Sequence, residues 1–85
     1  MSPVSEVIDL LTSTLVLGDR GRRLTEASPL LGHVPELDSM AVLNVIHEIE
    51  RRFNVSVEDD EISAATFDTV GSLAEFVAAK RNDTA

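Results

Sequence analysis

The stretch that decides the fold lies in the middle of the chain and reads Leu37-Asp38-Ser39-Met40-Ala41-Val42-Leu43-Asn44-Val45-Ile46-His47-Glu48-Ile49-Glu50-Arg51-Arg52-Phe53-Asn54. Apolar residues at 42, 45, 46, 49 and 53 recur at the spacing of one helix face, and Met40 and Leu43 widen that stripe. Asp38 is a favoured N-cap residue, and Asn54 is suited to a helix end. The pattern therefore predicts an amphipathic helix with the hydroxyl of Ser39 in its first turn.

A second amphipathic helix is predicted towards the N-terminus. Its apolar residues share one face and are Val4, Val7, Ile8, Leu11 and Leu15. Ser2 can cap this helix, and Pro3 suits its first position because the missing N–H has no helical partner there. We expect the helix to stop at Gly18.

The part that follows the central helix predicts one short and one longer helix. Acidic residues at 58–61 open a short helical turn that reaches about Ala65. Thr69 caps a last helix, followed by a frayed tail over 82–85. The inward residues of that helix are Val70, Leu73, Ala74 and Val77. The whole chain, 1–85, is thus predicted to be one all-α domain, a small four-helix bundle with three main helices and one short one.

Between the first two helices the periodicity lapses from residue 18 to residue 36. Glycines and prolines punctuate this segment, but Leu24, Leu30, Leu31 and Val34 indicate that it is pinned across the core. It also holds the only basic cluster, which consists of Arg20, Arg22 and Arg23. We interpret that cluster as a solvated turn in preference to a binding patch.

The composition excludes several classes of function. Fifteen acidic residues against seven basic ones give a net charge of −8, which repels nucleic acid and anionic lipid and favours basic patches on other proteins. The chain has no cysteine, so it has no disulfide, thiolate metal site or cysteine nucleophile. No apolar stretch is long enough to insert into a membrane, and no basic leader is present, so we expect a cytoplasmic monomer.

The chemistry of the chain centres on Ser39. A hydroxyl in the first turn of a helix is approachable, and the free N–H groups and positive dipole end of that turn can hold a phosphate. From Asp38-Ser39 alone, an ordinary helix start is the better interpretation. Leu37 and Met40 are apolar where exposure is expected, and they fit partner contacts and ordinary surface residues equally well. No catalytic residue is predicted, because His33 and His47 fit surface or packing positions better than a catalytic base.

The order of these elements resembles the acyl carrier proteins over nearly the whole chain. The matching motifs are Leu37-Asp38-Ser39-Met40, Phe53, Asp59-Asp60-Glu61-Ile62 and Thr66-Phe67-Asp68-Thr69-Val70-Gly71-Ser72-Leu73. The resemblance implies that a phosphopantetheinyl transferase attaches 4'-phosphopantetheine to Ser39 and that Asp38 helps it to recognise that serine. It also implies a non-enzymatic carrier whose thioester-bound acyl group serves acyl-transferring or acyl-ligating enzymes. Partner contacts would then be Leu37, Met40, Glu48 and Glu50.

The central helix departs from one property of this family. Carriers of general fatty acid synthesis usually have a strongly acidic face after the serine, whereas here Arg51 and Arg52 accompany Glu48 and Glu50. The stretch 30–42, with 59–63, looks closest to carriers associated with exosortase, PEP-CTERM and exopolysaccharide gene clusters in Gram-negative bacteria. That resemblance implies an acyl or aminoacyl cargo of a specialised pathway.

The sequence leaves three alternatives open. The chain could be an aminoacyl or peptidyl carrier, or an unmodified acidic adaptor in which Ser39 is only part of a helix start. It could also bind calcium through residues 58–61, but adjacent carboxylates lack the alternating spacing and central glycine of an EF-hand loop. A solvated helix start is the better interpretation of those four residues.

Overall fold

A computed structural model describes residues 3–84, without the side chains of Asp59, Asp83 and Thr84. It contains three α-helices, which are α1 (Val4–Thr14), α2 (Ser39–Phe53) and α3 (Val70–Thr84). Three 3₁₀ segments lie between them, at Gly18–Arg23, Asp59–Glu61 and Ala64–Phe67. Within 3–84 there is no β-strand, only an isolated antiparallel bridge between Pro29 and Thr69. The all-α prediction is confirmed, and the predicted short helix takes the form of two 3₁₀ segments.

All three helices turn an aliphatic face into one core. The helical residues with at most 1% exposure are Val7, Leu10, Leu11, Val45, Ile49, Val70, Leu73, Ala74 and Val77. All four residues predicted to face inward on α3 are among them. On α1, Leu10 is fully buried although the predicted face omitted it, while Val4 and Ile8 are only partly buried. The buried face of α1 is thus rotated slightly from the predicted one.

α1 ends four residues before the predicted stop at Gly18. Its last residue is Thr14, and the N–H of Leu17 donates to the carbonyl of Thr12 at 3.0 Å. This is the bond of a Schellman motif, which requires a left-handed residue just past the helix. Val16 occupies that position with φ of 54°, which is unusual for a β-branched residue. The helix therefore stops through its terminal hydrogen bonds before Gly18 is reached. Pro3 stands at the N-cap position, and the predicted cap Ser2 lies outside the described residues.

The long connection between α1 and α2 is pinned to the start of α3 by backbone hydrogen bonds. The N–H groups of Leu30 and Leu31 donate to the carbonyls of Asp68 (3.0 Å) and Phe67 (2.9 Å). In return, the N–H of Gly71 donates to the carbonyl of Glu26 at 2.8 Å. Leu30 is 1% exposed, as the predicted pinning requires, whereas Leu31 is 43% exposed. These hydrogen bonds fix the segment that leads into α2.

α3 extends further towards the C-terminus than the sequence predicts. α3 continues to Thr84, so residues 82–84 are helical where the sequence predicts a frayed tail, and Ala85 lies outside the described residues. Over the part of the chain that the structure describes, no helix combines the length and apolar character needed to cross a bilayer.

Candidate functional site

Ser39 is the first residue of α2 and is exposed to solvent. The helix begins here because the carboxylate of Asp38 accepts the N–H of Ala41 at 2.8 Å, and its carbonyl accepts the N–H of Val42 at 2.9 Å. This is the geometry of an N-cap, as the sequence predicts. Asp38 thus directs one carboxylate oxygen into the helix end and leaves the neighbouring hydroxyl on the outside.

Two donors beside the hydroxyl are unused. The N–H groups of Ser39 and Met40 have no protein acceptor in the described part of the chain, as expected for the first turn of a helix. These amides stand at the positive end of the helix dipole, where an anion is stabilised. The donor set therefore fits a phosphodiester carried by Ser39, while the carboxylate of Asp38 would repel a second negative charge.

The apolar residues around Ser39 divide into one buried and two exposed. Met40 is 69% and Leu43 48% exposed, so they form an apolar patch next to the hydroxyl. Leu37 is only 5% exposed and belongs to the core, so the expectation that it lies on the surface as a partner contact is wrong. The physical reason is its position one residue before the N-cap, from which an apolar side chain tends to pack back towards the fourth residue of the helix. That residue is Val42, which packs against the same core as Leu37.

The exposure of Leu43 could have been found in the sequence. An α-helix turns through about 100° per residue, which places Leu43 about 100° and Met40 about 160° from Val42. Both residues therefore lie off the buried face that Val42, Val45 and Ile49 define. The prediction that they widen the inward stripe is therefore wrong, because an i+3 spacing between two residues does not by itself place them on the buried face.

The two glutamates predicted as partner contacts are bound within the molecule. Glu48 lies 2.7 Å from the guanidinium of Arg51 and 3.4 Å from that of Arg52. The hydrogen bond from Arg51 holds the pKa of the Glu48 carboxyl below its ordinary value and raises the pKa of Arg51. Glu50 accepts the N–H of Val57 at 3.0 Å. Two glutamates and two arginines leave α2 without net formal charge in a chain of −8.

A polar groove lies between the end of α1 and the later turns of α2, beyond Ser39. Its cavity volume is about 480 Å³, and His47 and Asn44 line it together with Arg52, which donates to the hydroxyl of Ser13 at 2.9 Å. Sequence reasoning missed the pairing of Arg52 with Ser13, since the two residues are 39 positions apart. His33 lies elsewhere, exposed in the connection before α2. Within the described residues, no group of three or more metal-ligating side chains is close enough to hold an ion.

Comparisons with known proteins agree with this geometry. The family described as phosphopantetheine attachment site matches residues 36–77, a range that spans Ser39 and α2. No curated protein sequence matches the chain significantly. A holo acyl carrier protein from Nitrosomonas europaea, solved by solution NMR, is similar over 96% of this chain and 99% of its own length. It shares 54% sequence identity at a TM-score of 0.89. Sequence and fold thus agree over the whole domain: the chain belongs to the acyl carrier protein family and is a carrier with covalent 4'-phosphopantetheine, not an enzyme.

Proposed function

We propose that the chain holds an acyl group as a thioester on a 4'-phosphopantetheine arm attached to the Oγ of Ser39. The observation that carries this proposal is the exposed hydroxyl at the start of α2, beside two amides without an acceptor. The family match supports it because the matched range includes this serine. When attached, the group supplies the only thiol of the domain, since the chain has no cysteine.

The residues around Ser39 would act by positioning. The amides of Ser39 and Met40 would donate to the phosphate oxygens, and α2 would keep the attachment point rigid. Asp38 would hold the helix start in place and present its remaining carboxylate surface to the phosphopantetheinyl transferase. Met40 and Leu43 would contact partner enzymes, because their exposed apolar surface adjoins the attachment point.

The charge of α2 supports a specialised pathway over general fatty acid synthesis. A helix without net charge offers no acidic face to basic partner surfaces, and Glu48 and Glu50 are already engaged within the domain. We therefore favour dedicated acyl-transferring or acyl-ligating partners of the exosortase-associated type. An aminoacyl or peptidyl cargo is the second candidate, and the cytoplasmic location and monomeric state stay predictions.

Intact mass spectrometry tests the attachment site. The purified chain is incubated with a broad-specificity phosphopantetheinyl transferase and coenzyme A. We expect a gain of one phosphopantetheine in the natural chain and in Ser56→Ala, which removes another exposed hydroxyl. Ser39→Ala should show no gain.

Two results would contradict the proposal. If the mass of the natural chain did not change, or if Ser39→Ala were still modified, Ser39 would be only the first residue of a helix and not the attachment site. Thermal melting of both variants checks that they are folded. An unchanged mass of the natural chain would make the acidic adaptor the better interpretation.

A further inference from the structure

A second concave site lies in the connection between α1 and α2, away from the polar groove. It is a cavity of about 310 Å³. Its lining includes Arg20, Arg23, Leu24, His33, Val34 and Pro35. Five of its nine lining residues are apolar, and two are arginines. Such a mixture of apolar wall and a few polar groups is typical of a small-molecule site, and the volume is at the small end for one.

The charge around this cavity is opposite to that of the molecule. The segment Gly18–Arg23 holds three arginines and one aspartate, a net formal charge of +2, in a chain of −8. Arg20 is neutralised by an ion pair with Glu36, and Arg22 lies 3.9 Å from Asp19. Arg23 makes no ion pair or side-chain hydrogen bond within the described residues. The cavity therefore presents one uncompensated guanidinium above an apolar wall.

The cavity is within reach of an arm on Ser39. Pro35, which lines the cavity, is four residues before Ser39, and four residues of extended chain span at most about 14 Å. A phosphopantetheine arm has about fourteen bonds between the serine oxygen and its sulfur, as many as roughly five residues of backbone, or about 17 Å. A group attached to that sulfur can therefore fold back into the cavity.

We propose that this cavity receives the distal end of the cargo, and that the cargo is an acyl group ending in a carboxylate, the monothioester of a dicarboxylic acid. The inference rests on the proposed carrier function. The methylene chain of such a cargo lies against Leu24, Val34 and Pro35, and its carboxylate pairs with Arg23. The rest of the acidic surface repels a free carboxylate, so this basic segment is where the charged end is stabilised. A neutral acyl chain would leave the guanidinium without a partner.

Free thioesters test the cavity without the attachment step. The unmodified ¹⁵N-labelled chain is titrated with the N-acetylcysteamine monothioester of adipic acid and, separately, with the hexanoyl thioester of equal chain length. We expect saturable NMR shifts of the Leu24, His33 and Val34 amides and of the Arg23 Nε with the adipoyl compound. The hexanoyl compound should bind more weakly by about two- to fivefold, the range of a solvent-exposed ion pair.

Two matched arginine variants make the test specific. Arg23→Gln should lower the affinity for the adipoyl compound about two- to fivefold and leave that for the hexanoyl compound unchanged. Arg22→Gln removes the same charge from the same segment but outside the cavity, and should change neither affinity. Arg23→Lys should retain the adipoyl preference and shows that a loss in Arg23→Gln reflects the charge and not misfolding.

Several outcomes would overturn the inference: no saturable shift with the adipoyl compound, equal affinity for both thioesters, or equal losses in the two glutamine variants. Failure here does not affect the assignment of Ser39, which intact mass decides separately. In the carrier loaded from adipoyl-coenzyme A, the same amides should shift relative to the hexanoyl-loaded carrier, and unshifted amides would also count against the cavity.

Discussion

α2 and α3 both have 15 residues, but they are held in the domain in different ways. α3 buries Val70, Leu73 and Val77 completely, and its first turn is laced to the α1–α2 connection. α2 has two residues with at most 1% exposure and places Met40 and Leu43 in solvent beside Ser39. We infer that α3 anchors the fold, while α2, which carries the attachment site, keeps its surface available for partners.

The largest difference between α2 and α3 is expected when leucine is replaced by alanine on each helix. Leu73→Ala leaves a cavity in the core and should lower the free energy of unfolding by about 2–5 kcal/mol. Leu43→Ala removes a half-exposed side chain and should change it by less than about 0.5 kcal/mol. Urea unfolding followed by circular dichroism measures both. Equal losses would mean that α2 is packed as tightly as α3.

The second residue of each helix gives the next largest contrast. A Cβ on Gly71 would lie 2.8 Å from Cγ and 3.0 Å from the carbonyl oxygen of Glu26. Gly71→Ala should therefore cost about 1–2 kcal/mol of unfolding free energy although alanine favours a helix. Met40→Ala, at the equivalent position of α2, should be nearly neutral since Met40 is 69% exposed. A stabilised Gly71→Ala in thermal melting would contradict the close approach of α3 to Glu26.

The N-caps of α2 and α3, Asp38 and Thr69, should contribute equally to the free energy of unfolding but differ in function. The hydroxyl of Thr69 accepts the N–H of Ser72 at 3.0 Å, as Asp38 does for Ala41. Alanine at either cap should cost about 1 kcal/mol. Asp38→Asn keeps a capping oxygen and should change stability by less than about 0.5 kcal/mol, yet slow modification by the transferase. A natural rate in Asp38→Asn, followed by intact mass over time, would limit Asp38 to its capping role.

The smallest expected contrast concerns pH and two glutamates. The pKa of Glu61 is lowered from 4.5 by the N–H of Glu58 and then by Lys80 of α3, and that of Glu48 is lowered by Arg51 within α2. A lowered folded-state pKa stabilises the fold above about pH 4.5, and the contribution is lost as pH falls through the folded-state value. Glu61→Gln and Glu48→Gln should each make the melting temperature fall less steeply as the pH is lowered below about 4.5.

The two glutamine variants separate an inter-segment contact from a local one. Glu61 links the turn after α2 to α3, whereas Glu48 stays on its own helix. Glu61→Gln should therefore flatten the pH dependence of the melting temperature more than Glu48→Gln does. The reverse order would show that the ion pairs on α2 contribute more to the fold than the contact with Lys80.

Sequence alone was enough to predict the α-helical class, the inward face of α3, both ends of α2 and the place of Ser39. These features depend on residues within one or two turns of each other, namely a period of 3.6 residues and the capping types Asp38 and Asn54. Such interactions are short in sequence, so the order of residues is enough to predict them. The prediction that Leu37 is exposed was wrong, because an apolar residue just before an N-cap packs back into the core instead of facing solvent.

The arrangement of the connection before α2 depends on tertiary contacts. Its hydrogen bonds join Glu26 to Gly71 and Leu30 to Asp68, pairs that lie about forty residues apart in the chain. The cavity beside Arg23 exists because these distant contacts fold the connection over the core. No local spacing carries that information, since the partners meet only when the helices pack.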